Sequence, residues 1–191
     1  MVKKLFFISV SLKFLKFLLV MFFVVITIYV LSVGLTIDDS QIESPLVGKT
    51  GHNFDLLKIQ DREHLVDESS ARFTLHDLKG HNIVLNFWAS WCVSCRKEAG
   101  DLEKFWNLNR KNGIKVVGVA IQDNPENAKH FAVKFGKTYL IGLDDTNETA
   151  INYGVTGVPE TFFIDRSGKI LHRRIGPVSF SELEDAARKY F

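Results

Sequence analysis

Residues 83–97 read IVLNFWASWCVSCRK, and this stretch decides the fold. Ile83–Trp88 is a compact apolar run of strand length, the pattern of a central strand. From Ser94 to Lys111 the spacing turns helical, with Ala99, Leu102, Phe105 and Trp106 on one side and charges on the other, until Asn112-Gly113 stops it. Both cysteines of the chain, Cys92 and Cys95, fall in the joint between strand and helix. Two intervening residues allow a small, reversible disulfide ring and place Cys92 at the helix's first turn. There the unpaired backbone N–H groups and the positive end of the helix dipole favour a thiolate over a thiol. A thiolate is the nucleophile in disulfide exchange, so Cys92 is expected to attack. Cys95, one turn further in and more buried, is expected to resolve the mixed disulfide. Arg96 and Lys97 add positive potential there unless they point to water.

The same alternation of strand and helix continues outward. Ile114–Ile121 is a second buried-strand pattern, and Asn124 with Pro125 opens a helix that carries Ala128, Phe131, Ala132 and Phe135 inward until Gly136. Tyr139–Leu143 reads as a short strand and Glu148–Tyr153 as a short helix. Thr161–Ile164 and Ile170–Ile175 are strands joined by a hairpin, and Ser181–Tyr190 is a closing helix capped by Ser179 or Ser181. On the amino-terminal side, Phe54–Leu56 alternates weakly, Lys58–Ser70 reads as a charged loop, Phe73–Leu75 as a short strand and Asp77–Gly80 as a turn. Together these predict a three-layer α/β domain around a mixed sheet.

Upstream of the domain the composition changes. Phe17–Ile37 contains no Asp, Glu, Lys, Arg or His, a run that spans roughly 30 Å as a helix and so matches a bilayer's hydrocarbon thickness. Lys3, Lys4, Lys13 and Lys16 precede it, and Asp38, Asp39 and Glu43 follow it, so the short tail is expected in the cytoplasm and the domain outside. A cleaved signal peptide is the competing reading, with Ser32-Val33-Gly34 as the small residues, although its apolar core is usually only about 7–15 residues. The expected organisation is therefore residues 1–37 as tail and transmembrane anchor, and residues 38–191 as the domain, with Asp38–Gly51 as the tether into it.

Charge and cysteine count exclude several function classes. The chain carries 24 basic and 22 acidic side chains, and four of the basic ones lie before residue 17. The domain is thus close to neutral, which argues against nucleic acid as a partner, since phosphate neutralisation needs a concentrated basic surface. Two cysteines do not make a zinc site without two further ligands, and the histidines His52, His64, His76, His81, His130 and His172 show no ligand spacing. Covalent haem attachment needs His directly after Cys95, where Arg96 stands. No metal and no cofactor is expected. A purely structural disulfide closing so short a loop would add little stability.

Gly157–Asp165 (GVPETFFID) is the second informative piece. Pro159 at the opening of a strand marks either an edge-strand boundary or a cis peptide that brings free backbone groups beside the cysteines. With Asn86–Cys95 (NFWASWCVSC) and the Leu46–Lys49 opening (LVGK), it resembles the membrane-anchored thioredoxin-like proteins of the TlpA/ResA/CcmG (DsbE) group. The likeness runs from about Pro45 to Phe191, and the Gly-Val-Pro-Glu-Thr-Phe sequence is most similar to the DsbE-type reductases of cytochrome c maturation.

The resemblance implies a thioredoxin fold with a cis Pro159 facing the Cys92–Cys95 pair. It implies thiol-disulfide oxidoreductase activity on disulfide-bearing clients, among them apocytochrome c, outside the cytoplasm of a bacterium. Electrons would come from a membrane transporter of the DsbD/CcdA type. Trp91, Pro159 and Glu160 are expected along the client groove, with Glu160 alternatively an ordinary strand-edge carboxylate. Asn86 stands where ordinary thioredoxins carry a buried Asp. Glu98, three residues after Cys95, either exchanges a proton with the Cys95 thiol or favours the helix dipole from an exposed position. Ser94 stands where many relatives have Pro. Rival readings are a general reductase of other envelope proteins and a copper-binding chaperone, although the latter type uses Cys-x-x-x-Cys with a distant His. The only methionines, Met1 and Met21, lie outside the domain.

Overall fold

In the computed structural model the chain divides into two units, Met1–Gln41 and Ile42–Phe191. The structure describes residues 2–35, 45–60 and 69–191. Thr36 and Ile37 at the end of the expected span, the acids Asp38, Asp39 and Glu43 of the expected tether, and residues 61–68 of the expected loop lie outside the described residues.

Among the described residues of the first unit there is one helix, α1 (Val2–Leu35), within which Phe14–Val33 is long and apolar enough to cross a membrane. Thr27 and Ser32 donate their hydroxyls back to the carbonyls of Phe23 and Tyr29, each at 2.8 Å. These polar side chains thereby satisfy themselves within the helix, as an apolar medium requires.

The second unit holds β1 (Asp55–Gln60), β2 (Arg72–Thr74), β3 (Asn82–Trp88), α2 (Val93–Asn109), β4 (Ile114–Ile121), α3 (Pro125–Lys134), β5 (Leu140–Asp144), α4 (Glu148–Asn152), β6 (Glu160–Ile164), β7 (Ile170–Ile175) and α5 (Phe180–Tyr190). The sheet runs β2-β1-β5-β4-β3-β6-β7. β3 pairs parallel with β4 and β4 with β5, while every other pairing is antiparallel. This is the expected three-layer α/β architecture with a mixed sheet, of the thioredoxin-like type.

All seven residues of β3 are buried, because the strand has neighbours on both edges and a layer on both faces. Alternate side chains divide between two cores. Val84 and Trp88 join Cys92, Cys95, Phe105 and Phe131 beneath α2, α3 and α5. Ile83, Leu85 and Phe87 join Phe54, Tyr153 and Phe162 on the other face, which α4 covers. Each such large apolar side chain contributes about 1.5–3 kcal/mol by leaving water. Gly118 on β4 leaves room for this packing: a Cβ there would stand 2.9 Å from Trp88 Nε1 and 3.1 Å from Tyr139.

Two local readings change. The expected loop beginning at Lys58 starts later, since Lys58–Gln60 continue β1 and pair with β5. β1 lies next to the edge strand, so only Leu56 is fully buried and its apolar alternation is weak. The first half of the expected turn at Asp77–Gly80 belongs to a 3-10 turn over Leu75–Leu78, whose start Asp77 caps by accepting from Thr74 N at 2.8 Å.

Candidate active site

The chain leaves β3 at Trp88 and reaches α2 through Ala89–Cys92, a loop held from three directions. Cys92 N donates to Ala89 O at 3.2 Å. Ser90 N and Oγ donate to the Asp123 carboxylate at 2.6 and 3.0 Å, and Trp91 Nε1 donates to Gln122 O at 3.1 Å. Asp123 and Gln122 follow β4, so the two parallel strands carry the loop between them. Trp91 and Val93 remain exposed on either side of Cys92, 55 % and 66 % respectively.

Cys92 is the N-cap of α2, one position earlier than a first-turn residue, and its sulfur accepts the backbone N–H of Cys95 at 3.1 Å. An N-cap acceptor takes up one of the helix's unpaired donors and sits at the positive end of its dipole. Cys92 and Cys95 form a disulfide in this structure, with Cα atoms 5.3 Å apart. Cys92 retains 4 % exposure, whereas Cys95 has none. Ser94 Oγ lies 3.7 Å from Cys92 Sγ, a neighbour that Pro at this position would not supply.

The Val158–Pro159 peptide is cis, and Val158 O lies 3.6 Å from Cys92 Sγ. A cleft of about 390 Å³ opens beside this contact, with Trp91, Ile121, Ile151, Val155 and Val158 among its walls. Pro159 itself is buried. Glu160 is fully buried, and its carboxylate points into its own loop. Its Oε1 accepts from Thr156 N and Oγ1, both at 2.9 Å, and from Gly157 N at 3.2 Å. Its Oε2 pairs with Arg173, with Nη2 at 2.6 Å and Nε at 2.9 Å. Glu160 therefore meets the cleft through the loop it braces, not through its own oxygens.

One turn along α2 from Cys95 lies a buried polar cluster around Glu98. Glu98 is 2 % exposed; its Oε1 accepts from Asn86 Nδ2 at 2.9 Å and its Oε2 from Val178 N at 3.0 Å. Burial pushes its carboxyl up to about 7 from an ordinary 4.5, against the two hydrogen bonds and the charge of Lys137, which favour the anion. Asn86 Nδ2 also donates to Thr161 Oγ1 at 3.1 Å, whereas Asn86 Oδ1 has no partner among the described residues. Such burial does not fit the exposed, dipole-favouring reading of Glu98.

Lys137 belongs to the same cluster, and its sequence context gave no sign of it. It is 1 % exposed, and its ammonium stands 4.1 Å from the Trp88 ring centroid, 5.0 Å from Phe131 and 5.4 Å from Tyr139. Burial lowers it to about 7, with the carboxylates of Glu98 and Glu103 acting in the opposite sense. Glu103 is itself held by Thr138, accepting from N at 2.8 Å and Oγ1 at 2.6 Å.

Comparison with known proteins agrees with this geometry. The Redoxin family model matches residues 46–187. The chain is 36 % identical to the thiol:disulfide interchange protein DsbE of Allochromatium vinosum, over 76 % of this chain and 75 % of that one. It is 32 % identical to the thiol-disulfide oxidoreductase ResA of Geobacillus thermodenitrificans, over 65 % and 66 %. The solved structure of MTB DsbF, in mixed oxidized and reduced forms, superposes with a TM-score of 0.62 at 26 % identity, covering 72 % of this chain and 95 % of that one.

Proposed function

This chain belongs to the Redoxin family and is a thiol-disulfide oxidoreductase, and from that premise we propose that it is a membrane-anchored reductase working outside the cytoplasm on the haem-attachment cysteines of apocytochrome c. One observation carries the reading: Cys92 sulfur caps a helix beside the Val158-Pro159 backbone, while Cys95, one turn further in, has no exposure at all. The first arrangement suits a sulfur that meets clients, and the second suits one that meets only its partner.

Each turnover moves two electrons. In the reduced protein, Cys92 thiolate attacks one sulfur of a client disulfide, and the client's other sulfur leaves as a thiolate and takes a proton from water. Cys95 thiol then passes its proton to Glu98 and attacks Cys92 sulfur, which releases the client's first sulfur as a thiolate. The client ends as a dithiol and the protein as the Cys92–Cys95 disulfide. A membrane thiol-disulfide transporter of the DsbD/CcdA type returns the dithiol form. Trp91 and the Val158-Pro159 backbone hold the client chain, and Glu160 acts at one remove by bracing residues 156–157. The helix α1 anchors the protein in the cytoplasmic membrane, with residues 38–191 on the outer side.

Two measurements test this. The reduction potential of the pair is expected well below about −120 mV, the value of a strong periplasmic oxidant; a potential at that end contradicts a reductase. Cys95→Ala stalls the second step, so mixed disulfides accumulate, and apocytochromes are expected among the trapped proteins. A second reading is a general reductase of other envelope disulfides, since the DsbE and ResA likenesses share the thiol-disulfide chemistry and neither names a client. Trapping those alone replaces the cytochrome reading with the general one.

A further inference from the structure

The surface on the two sides of Cys92 is unlike. On the Val158 side lies the apolar cleft described above. On the α3 side lies a notch of about 240 Å³ with Ser90, Arg96, Asn127, His130 and Lys134 on its walls and Phe131 at its base. Ser90 and Arg96, two residues before and four residues after Cys92, both line the notch, so it opens on the segment that carries the reactive sulfur. Its two cations, Arg96 on α2 and Lys134 on α3, are exposed, as is the His130 imidazole. None makes an ion pair among the described residues; Arg96 makes only a long contact, Nη2 to Ser90 O at 3.4 Å. Asp123, the nearby acid, is committed to Ser90 N and Oγ and to Asn124 N, and Glu126 on α3 does not line the notch. Lys129 and Lys97 are exposed on the same two helices, and the Lys137 ammonium lies 5.0 Å behind the Phe131 ring.

We propose that this notch takes a carboxylate of the client, an acidic side chain a few residues from the client's reacting cysteine, while the apolar cleft takes the chain on the cysteine's other side. This rests on the reading that the Cys92–Cys95 pair exchanges disulfides with protein clients, and adds what selects among them. Arg96, Lys134, Lys97 and Lys129 outnumber the acids Asp123 and Glu126 here and so raise the local potential, and a client bearing the opposite charge is drawn to it and held in one orientation. An uncharged client loses nothing at the cysteines but lacks the steering. A basic one is repelled.

The test uses the full-length protein in detergent and three disulfide peptides that differ only by Glu, Gln or Lys three residues from one cysteine. Exchange is followed in both directions, reduced protein with oxidised peptide and oxidised protein with reduced peptide. The Glu peptide is expected to react about tenfold faster than the Lys peptide at low ionic strength. At about 0.5 M salt, where screening acts within a few ångströms, the difference is expected to fall to about twofold or less. The double variant His130→Gln, Lys134→Gln is expected to erase the preference while the Gln peptide reacts as before, which shows that the fold and the cysteines are intact. Equal rates for the Glu and Lys peptides in both directions, or a preference that survives in the variant, overturns the proposal. Preference for Glu in the oxidising direction alone sustains the notch and counts only against the reductase assignment.

Discussion

Asn86 Nδ2 donates a 2.9 Å hydrogen bond to Glu98 Oε1, and this contact joins the middle of β3 to the first half of α2, three residues after Cys95. It places a carboxyl group in a site without solvent and gives it one side-chain donor and one backbone donor, Val178 N. Two donors do not replace water for an anion, so the group holds its proton to about 7.

A group of this kind links stability to pH. Its folded value lies above its unfolded value, so its contribution is fully present below about 4.5 and is lost as pH rises through about 7. The loss is about 3 kcal/mol when complete. In denaturant titrations of the oxidised protein, Glu98→Gln is therefore expected to be more stable than the parent at pH 8.5 and no more stable at pH 4. A gain of equal size at both pH values would show that folding does not shift the Glu98 carboxyl group.

Asn86→Asp puts a second carboxyl group in contact with the first. Two carboxylates at hydrogen-bond distance do not both ionise readily, so the pair is expected to hold one proton further above neutrality. The pH profile of Cys95 alkylation in the reduced protein should move upward by about one unit or more. An unmoved profile would remove Glu98 from the path of the Cys95 proton.

Lys137 has the opposite sign. Its folded value is lowered from 10.5 to about 7, so the charged form is penalised below 7 and the penalty fades as pH rises from 7 towards 10.5. The three rings around the ammonium recover only about 2 kcal/mol of that penalty. Lys137→Met, which keeps the volume, is expected to raise the thermal midpoint at pH 5 and to do so less at pH 9. A lower midpoint at pH 5 would mean that the cation is stabilising where it sits.

Glu160→Ala leaves the largely buried Arg173 guanidinium without its acid and three donors of residues 156–157 without an acceptor. Breaking a buried pair from one side costs about 3–5 kcal/mol. Equilibrium unfolding should report a loss of that size, and client reduction should slow because the Val158 backbone is no longer held. A loss below about 1 kcal/mol would make Glu160 an ordinary strand-edge residue.

Much of this architecture is legible in the chain, for physical reasons. β3, β4 and β7 are buried by neighbours on each side or bounded by turn residues, so their apolar runs match the observed strands within about a residue. Ser179 announces α5 through its capping box with Glu182. β1 is only half covered, and its pattern dissolves into charge after Leu57. The cysteines declare themselves by spacing, but their surroundings do not. Glu98 is buried by a backbone amide eighty residues away, at Val178. Lys137 is buried by rings from β3, from α3 and from Tyr139, a convergence that no local pattern records.

Cys92 sulfur at the amino end of α2, ionised and within reach of a client, is the claim beneath all the rest. Iodoacetamide labelling of the reduced protein between pH 4 and 10, with the modified residue identified by mass spectrometry, tests it directly. Cys92 is expected to be labelled first, with an inflection clearly below the ordinary cysteine value of about 8.5. Labelling of Cys95 first, or an inflection at Cys92 at or above that value, would contradict it.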